Sequence, residues 1–123
     1  MKGLKPGVYH YRFDGHLLML TKGGDHRAEL AEAALGQSSI ASSPAVLVLA
    51  ADFSRTARVY GERASRYVYM EAGHVGENVY LQCEALGMGT VVIGAFQDDR
   101  VKKLLGIEQE PLYIMPAGKK KPE

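Results

Sequence analysis

The chain has 123 residues, of which 46% are hydrophobic, and its 15 basic and 14 acidic side chains nearly cancel. A chain of this length buries about two-thirds of the surface that its unfolded form exposes, so we expect one core and one domain. The balanced charge provides no field that would attract nucleic acid or an anionic membrane, and we expect neither as a partner. The single cysteine, Cys83, excludes an intrachain disulfide framework. The first residues, MKGLKPGVYHYR, lack the apolar core of a signal peptide, so we expect a cytoplasmic protein.

The first half of the chain predicts a hairpin, a short helix and a buried strand. Residues 7–21 read as the hairpin, with Asp14-Gly15 providing the positive backbone angles of a two-residue turn. A helix is expected over residues 28–35, followed by a polar linker over residues 37–43. After Pro44, the continuous apolar run AVLVLAAD predicts a strand in the middle of a sheet, covered on both faces.

The second half predicts two helices, a strand, a third helix and a last strand. A short helix over residues 55–60 precedes a long one over residues 65–86. The long helix has an apolar stripe at steps of four and three: Val68, Ala72, Val75, Val79, Cys83 and Leu86. Strands are expected at residues 90–94 and 111–116, with a helix opened by Asp98 between them. This order predicts an α+β domain over residues 1–118, with a mixed or antiparallel sheet flanked by helices, and a basic tail over residues 119–123.

Three motifs that suggest other chemistry lack the necessary context. Gly87-Met88-Gly89 follows a helix and precedes a strand, the reverse of the order that a dinucleotide-binding loop requires. Glu71 and His74 have the spacing of a di-iron ligand pair, but the chain has no second such pair, so we expect no metal site. His74 and Cys83 are nine residues apart on one helix and point to opposite faces, so we expect Cys83 in the core rather than in catalysis.

Several short stretches, taken together, resemble the C-terminal part of FMN-dependent nitroreductase-fold proteins, and most closely the branch that contains the azoline dehydrogenases. They are Tyr60-Gly61-Glu62-Arg63, Arg66-Tyr67, Glu71-Ala72-Gly73-His74, Asn78, Leu86-Gly87-Met88-Gly89-Thr90 and Ile93-Gly94-Ala95-Phe96. Proteins of this family are homodimers with FMN in two clefts at the subunit interface, so the resemblance implies a homodimer whose contact includes Ala72, Gly73 and Gly76. It also implies NAD(P)H as the reductant.

The resemblance further implies the positions of the cofactor and of the catalytic group. Val92, Ile93, Gly94 and Ala95 are expected beside the isoalloxazine ring, with the Gly94 amide facing flavin N5. A glycine suits that position because backbone can approach a flat ring only where no side chain intervenes. Lys119 and Lys120 are expected near the FMN phosphate or, alternatively, in a solvated tail.

Two departures from the family pattern leave the function open. Azoline dehydrogenases resemble one another in a catalytic lysine-tyrosine pair, where this chain has Val59 and Tyr60. Tyr60 is therefore the catalytic candidate, and we expect no azoline-forming dehydrogenation. We also expect the N-terminal half of the family domain, with its phosphate-binding arginines, to be missing. The open alternatives are an FMN-binding oxidoreductase, a flavin-free dimeric structural or interaction subunit, and one half of a split flavoenzyme.

Overall fold

The computed structural model describes residues 3–121 and contains two antiparallel sheets with helices packed around them. In chain order the elements are β1 (Gly7–Arg12), β2 (Leu17–Gly23), α1 (Arg27–Ala33), α2 (Ser38–Ser42), β3 (Ala45–Ala51), α3 (Phe53–Tyr60), a 3₁₀ turn (Gly61–Arg63), α4 (Ala64–Ala85), β4 (Met88–Thr90), α5 (Asp98–Leu105) and β5 (Glu110–Lys119). The predicted α+β class with an antiparallel sheet flanked by helices is confirmed. Within residues 3–121, no helix combines the length and the apolar character needed to cross a bilayer.

The β1–β2 hairpin forms in the predicted register but stands apart from the larger sheet. Tyr11 pairs with Leu18, and the turn closes with a 3.2 Å hydrogen bond from the His16 N–H to the Phe13 carbonyl. The turn differs from the prediction because the positive φ angles fall on Gly15 and His16, not on Asp14. Every residue of β2 is exposed, and the Phe13 side chain is 86% exposed. The hairpin is therefore an arm with uncovered apolar side chains on both faces.

The three-stranded sheet has the order β3–β5–β4, so β5 is its central strand. The prediction that β3 lies in mid-sheet was wrong, because β3 pairs only with β5 within the described residues. Its apolar composition reflects partial burial, because none of its seven residues is buried. The central strand β5, in contrast, has four consecutive buried residues, Ile114 to Ala117. Lys119, where the sequence predicted the start of a basic tail, is the last residue of β5 and pairs with Met88. Residues 122 and 123 of that tail lie outside the described residues.

The core lies between the sheet and helices α1, α2 and α5. Ile40, Val101 and Ile114 are completely buried there, next to alanines of α1. Ile40 belongs to α2, where the sequence predicted a polar linker. The prediction failed because one apolar side chain among serines gives no periodic signal, yet it anchors the helix once α1 packs beside it.

Candidate functional site

The chain segment that follows α4 runs along the central strand without continuing as a regular strand. Gly87 ends α4 with a φ of 72°, a conformation that glycine adopts without steric cost. The strand predicted over residues 90–94 lies earlier in the structure, at Met88–Thr90, and regular pairing stops at Thr90. One further bridge follows, in which Ile93 and Ile114 exchange two backbone hydrogen bonds of 2.9 Å. The backbone is thus held at Ile93 and leaves the sheet immediately after it.

Val92 is fixed by contacts with α4. Its N–H donates to the Tyr80 Oη at 2.9 Å, in a half-buried position. Its side chain occupies the space next to Gly76, where an added β-carbon would lie 3.3 Å from Val92 Cγ1. Both contacts come from one face of α4, since positions four apart on a helix are neighbours.

Gly94 is the first exposed residue after this fixed stretch. Its N–H has no acceptor among residues 3–121, and an added β-carbon would meet no atom within 4 Å. Ala95 is exposed as well, and its carbonyl accepts a 3.1 Å hydrogen bond from Gln37 Nε2. A free backbone donor on an open glycine surface fits a flat ligand that carries a hydrogen-bond acceptor.

The predicted ring-contact residues differ in what they present to the surface. Val92 is half-buried, whereas the Ile93 side chain is 6% exposed and belongs to the hydrophobic core. Ile93 can therefore contribute through its backbone but offers little side-chain surface. Gly94 and Ala95 present exposed backbone and a single methyl group.

Lys119 and Lys120 lie at the far end of β5, beside the C-terminus of α4. The Lys120 ammonium contacts the Glu84 carboxylate at 2.6 Å, and both side chains remain substantially exposed. Because an exposed ion pair contributes at most about 1 kcal/mol, a stronger anion could displace Glu84 from Lys120. The two lysines thus provide positive charge, and Glu84 partly neutralises that of Lys120.

Tyr60 lies on an open cleft between α3 and α4. The cleft has a volume of about 520 Å³ and is lined by Arg55, Thr56, Val59, Tyr60, Tyr67 and Glu71. The Tyr60 ring packs edge-to-face on Tyr67 with the centroids 4.9 Å apart, and Arg63 Nε donates to the Tyr67 Oη at 3.1 Å. Tyr60 is 56% exposed and the adjacent Val59 is 76% exposed, so both are accessible to a ligand in the cleft.

Asp52 caps the N-terminus of α3, the helix that ends at Tyr60. Asp52 accepts hydrogen bonds from the Ser54 hydroxyl at 2.5 Å and from the Ser54 N–H at 3.1 Å. These hydrogen bonds lower the pKa of Asp52, with the nearby positive charge of Arg55 contributing. The carboxylate form is therefore favoured at the cap, where it satisfies a free N–H of the first helical turn.

The structure distributes the predicted site residues along α4 rather than gathering them. Tyr60 packs on Tyr67, Val92 contacts Gly76, and Lys120 contacts Glu84. At 1.5 Å per residue, these points on α4 are separated by about 13 Å and then about 12 Å. Gly94 and its neighbours thus lie in the middle, with the aromatic cleft towards one end of the helix and the lysines towards the other.

The polar residues and Cys83 of α4 lie in different environments. Cys83 is buried, as its place in the apolar stripe predicted, and His74 is exposed on the opposite side of the helix. In the part of the chain that the structure describes, no group of three or more His, Cys, Asp or Glu side chains could hold a metal ion. Glu71 instead lines the aromatic cleft.

The three small residues predicted at a dimer contact do not share one environment. Gly76 is buried against Val92 and Tyr113 of its own chain, so it serves intrachain packing. Ala72 is half-buried, while Gly73 is exposed, and among residues 3–121 no atom lies within 4 Å of an added β-carbon there. Of the three, Gly73 alone has open space beside it within the described part of the chain.

Comparison with known proteins identifies the family. The model of the nitroreductase family matches residues 5–119. The chain belongs to the nitroreductase family. A curated relative from Methanocaldococcus jannaschii, described as a putative nitroreductase, is 48% identical over 118 residues, which are 96% of this chain and 60% of the relative. The chain thus spans less than two-thirds of that nitroreductase relative.

Solved structures of nitroreductase-type proteins share the fold. A putative nitroreductase from Anabaena variabilis superposes with a TM-score of 0.91 at 33% identity, over 98% of this chain and 25% of the other. An NADPH:FMN oxidoreductase from Vibrio harveyi, solved in complex with NAD⁺, gives a TM-score of 0.65 at 26% identity, over 79% of this chain and 49% of that one. These matches show the fold of nitroreductase-family proteins and do not distinguish the branches of the family.

Sequence reasoning missed Tyr80 and Gln37, which contact Val92 and Ala95, and Arg63, which contacts Tyr67 beside Tyr60. Tyr80 follows Gly76 by four residues, so helical spacing could have placed both on the face towards Val92. Gln37 had no such signal, because it reaches Ala95 across 58 positions of the chain.

Proposed function

We propose that this nitroreductase-family chain binds FMN and transfers reducing equivalents from NAD(P)H to an unidentified small acceptor. The observation that carries the proposal is the Gly94 N–H, which is exposed, has no acceptor among residues 3–121 and lies on an open glycine surface. When bound, FMN would supply the redox chemistry, and the protein would supply binding, orientation and electrostatics.

The residues that would hold FMN are those predicted from the sequence, with roles refined by their contacts. Gly94 would donate its N–H to the ring, and Val92 and Ala95 would border it. Ile93 would act through the two backbone bonds that fix it to Ile114. Lys119 and Lys120 would provide positive charge for the phosphate, with Lys120 exchanging Glu84 for the ligand.

Tyr60 is the proposed catalytic residue, able to hold or donate a proton at its Oη in the cleft beside Tyr67. Phenols act as general acids in enzymes, and the open cleft gives an acceptor access to this one. Val59 stands where azoline dehydrogenases have a lysine. We therefore propose that this chain is similar to that branch but does not catalyse azoline-forming dehydrogenation. Valine cannot hold or transfer a proton.

We further propose that the chain acts as a homodimer. The hairpin and α4 leave apolar side chains more than about one-third exposed, among them Phe13, Leu17, Leu18, Met70 and Leu81. Exposed apolar side chains concentrated on one element, as on this hairpin, mark protein contacts. The same surface favours the alternative candidates, namely a flavin-free dimeric subunit or one half of a split flavoenzyme.

Steady-state turnover tests the proposed reaction. NADPH oxidation is measured with added FMN and either a quinone or a nitroaromatic compound as acceptor. The oxidation of a thiazoline to a thiazole is measured separately, without NADPH and with dioxygen as the electron acceptor. We expect FMN-dependent reduction of the first two and no oxidation of the thiazoline. Tyr60→Phe should lower kcat by about 10²-fold, the contribution typical of a general acid. Tyr69→Phe is the matched control, since Tyr69 is on α4 but packs on Phe53 outside the cleft. No turnover with any acceptor would overturn the proposed reaction, and an unaffected Tyr60→Phe would overturn the role of Tyr60.

A further inference from the structure

Hydrogen bonds hold the backbone from Val92 to Gln97 at both ends, and the Gly94 N–H between them has no acceptor among residues 3–121. At the first end, the Val92 N–H is bonded to Tyr80 and the Ile93 backbone to Ile114, each at 2.9 Å. At the other end, the Gln97 N–H donates to the Ala33 carbonyl at 2.8 Å. Gly94 lies between these anchors, with its own N–H unbonded among residues 3–121.

Two side chains complete this arrangement, and neither comes from the segment itself. The Tyr80 hydroxyl reaches it from α4 and accepts the Val92 N–H. Gln37 reaches it from the N-cap position of α2, and its Nε2 donates to the Ala34 carbonyl at 2.8 Å and to the Ala95 carbonyl at 3.1 Å. The hydrogen bond at Val92 thus lies two residues before Gly94, and the hydrogen bond at Ala95 lies one residue after it.

We propose that Tyr80 and Gln37 are positioning residues that hold the Gly94 N–H in place for the flavin, an inference that rests on the proposed function. A glycine with no side-chain contact has the largest conformational freedom of any residue. Restraining its neighbours removes that freedom before a ligand arrives, so binding does not have to order the donor. A donor fixed in advance also stabilises charge on a bound group more effectively than one that must reorient.

The chain offers a matched control for Tyr80. Tyr113 lies on the same side of α4, with its ring carbon 3.5 Å from the position of an added Gly76 β-carbon. Its hydroxyl makes no hydrogen bond within residues 3–121, in contrast to that of Tyr80. Tyr113→Phe therefore removes a phenol oxygen from the same neighbourhood without releasing the segment.

The test compares Tyr80→Phe, Gln37→Ala and Tyr113→Phe with the wild type in two measurements. In protein without FMN, the ¹⁵N order parameter of Gly94 should fall from about 0.85 towards about 0.6 in the first two variants and stay unchanged in Tyr113→Phe. In FMN titrations, Kd should rise about tenfold for each of the first two, which corresponds to about 1.4 kcal/mol. The potential of the bound flavin should also shift in these variants, which a purely structural role would not cause.

The outcomes separate this inference from the proposed function. If the wild type binds no FMN, the proposed function fails, while the order parameter still shows whether the two side chains restrain Gly94. If the wild type binds FMN but Gly94 is equally ordered in Tyr80→Phe and Gln37→Ala, the positioning role is overturned. An equal effect of Tyr113→Phe on FMN affinity would also overturn it, because that variant breaks no hydrogen bond within the described residues.

Discussion

The Val92 side chain lies against Gly76, so close that a β-carbon on Gly76 would be 3.3 Å from Val92 Cγ1. The same β-carbon would lie 3.5 Å from the Tyr113 ring. Glycine inside a helix costs up to about 1 kcal/mol relative to alanine. At position 76 that cost is offset by the close packing of α4 on the central strand and on the segment that leads to Gly94.

Replacing Gly76 by valine should therefore destabilise the protein. The added side chain must displace Val92 or the Tyr113 ring, and overpacking of this kind typically costs about 1 to 3 kcal/mol. Urea denaturation monitored by circular dichroism measures the change. Gly73→Ala is the matched control, because Gly73 is on the same helix with open space around it and should gain up to about 1 kcal/mol in helix propensity. Gly76→Val with wild-type stability would contradict the packing described for α4.

Replacing Gly73 by leucine should weaken the proposed dimer while leaving the fold of each chain intact. Among residues 3–121, no atom lies within 4 Å of a β-carbon added at Gly73, so a larger side chain there has open space that a partner would have to share. If that surface is the contact, overpacking should cost about 1 to 3 kcal/mol of association free energy. Sedimentation equilibrium over a concentration series gives the dimer dissociation constant, with Gly73→Ala as the conservative comparison. A wild-type protein that sediments at its 13.4 kDa chain mass at micromolar concentration would contradict the dimer.

The pH dependence of stability should depend on His26, which joins the hairpin to α1. Its two ring nitrogens lie 2.9 Å from a Glu29 carboxylate oxygen and 2.9 Å from the Gly23 carbonyl. Both partners are acceptors and stabilise the doubly protonated ring, so the pKa of His26 is raised above 6.5, chiefly by Glu29. A raised pKa in the folded state means that the stabilisation is complete below pH 6.5 and is lost as pH rises through the folded-state pKa.

His26→Gln should remove this part of the pH dependence. Thermal melts between about pH 5 and 9 should show that the melting temperature of the wild type exceeds that of the variant at low pH, and that this difference shrinks as His26 deprotonates. Parallel curves for the two proteins across that range would show that His26 does not titrate with folding.

The local structure of the chain could be predicted from the sequence more readily than its long-range arrangement. The apolar stripe and the glycine stop at position 87 predicted α4 to within one residue at each end, Ala64–Ala85 against residues 65–86. The hairpin register was also correct, because alternation and turn residues are local signals. The prediction that β3 lies in the middle of the sheet was wrong, since an apolar run does not show which strands flank it.

The candidate site shows the same limit. Gly94 was expected beside the flavin ring from the family resemblance; the structure shows an exposed glycine there, and the ring contact stays a prediction. The separation of Tyr60, Val92 and Lys120 along α4 could not be read from the chain, because it depends on how α3 and β5 pack on the helix. Gly76 was expected at a partner surface, yet its neighbours belong to its own chain.

The flavin absorbance spectrum of the purified protein, recorded before and after incubation with FMN and gel filtration, tests the central proposal most directly. We expect wild-type protein to retain FMN. Gly94→Val should lose most of it, because a branched side chain would cover the open backbone that the ring must approach. The melting temperature of Gly94→Val without FMN should change little, since an added β-carbon meets no atom within 4 Å. A wild-type protein that stays colourless at high micromolar FMN would contradict the flavoenzyme proposal and favour the flavin-free subunit.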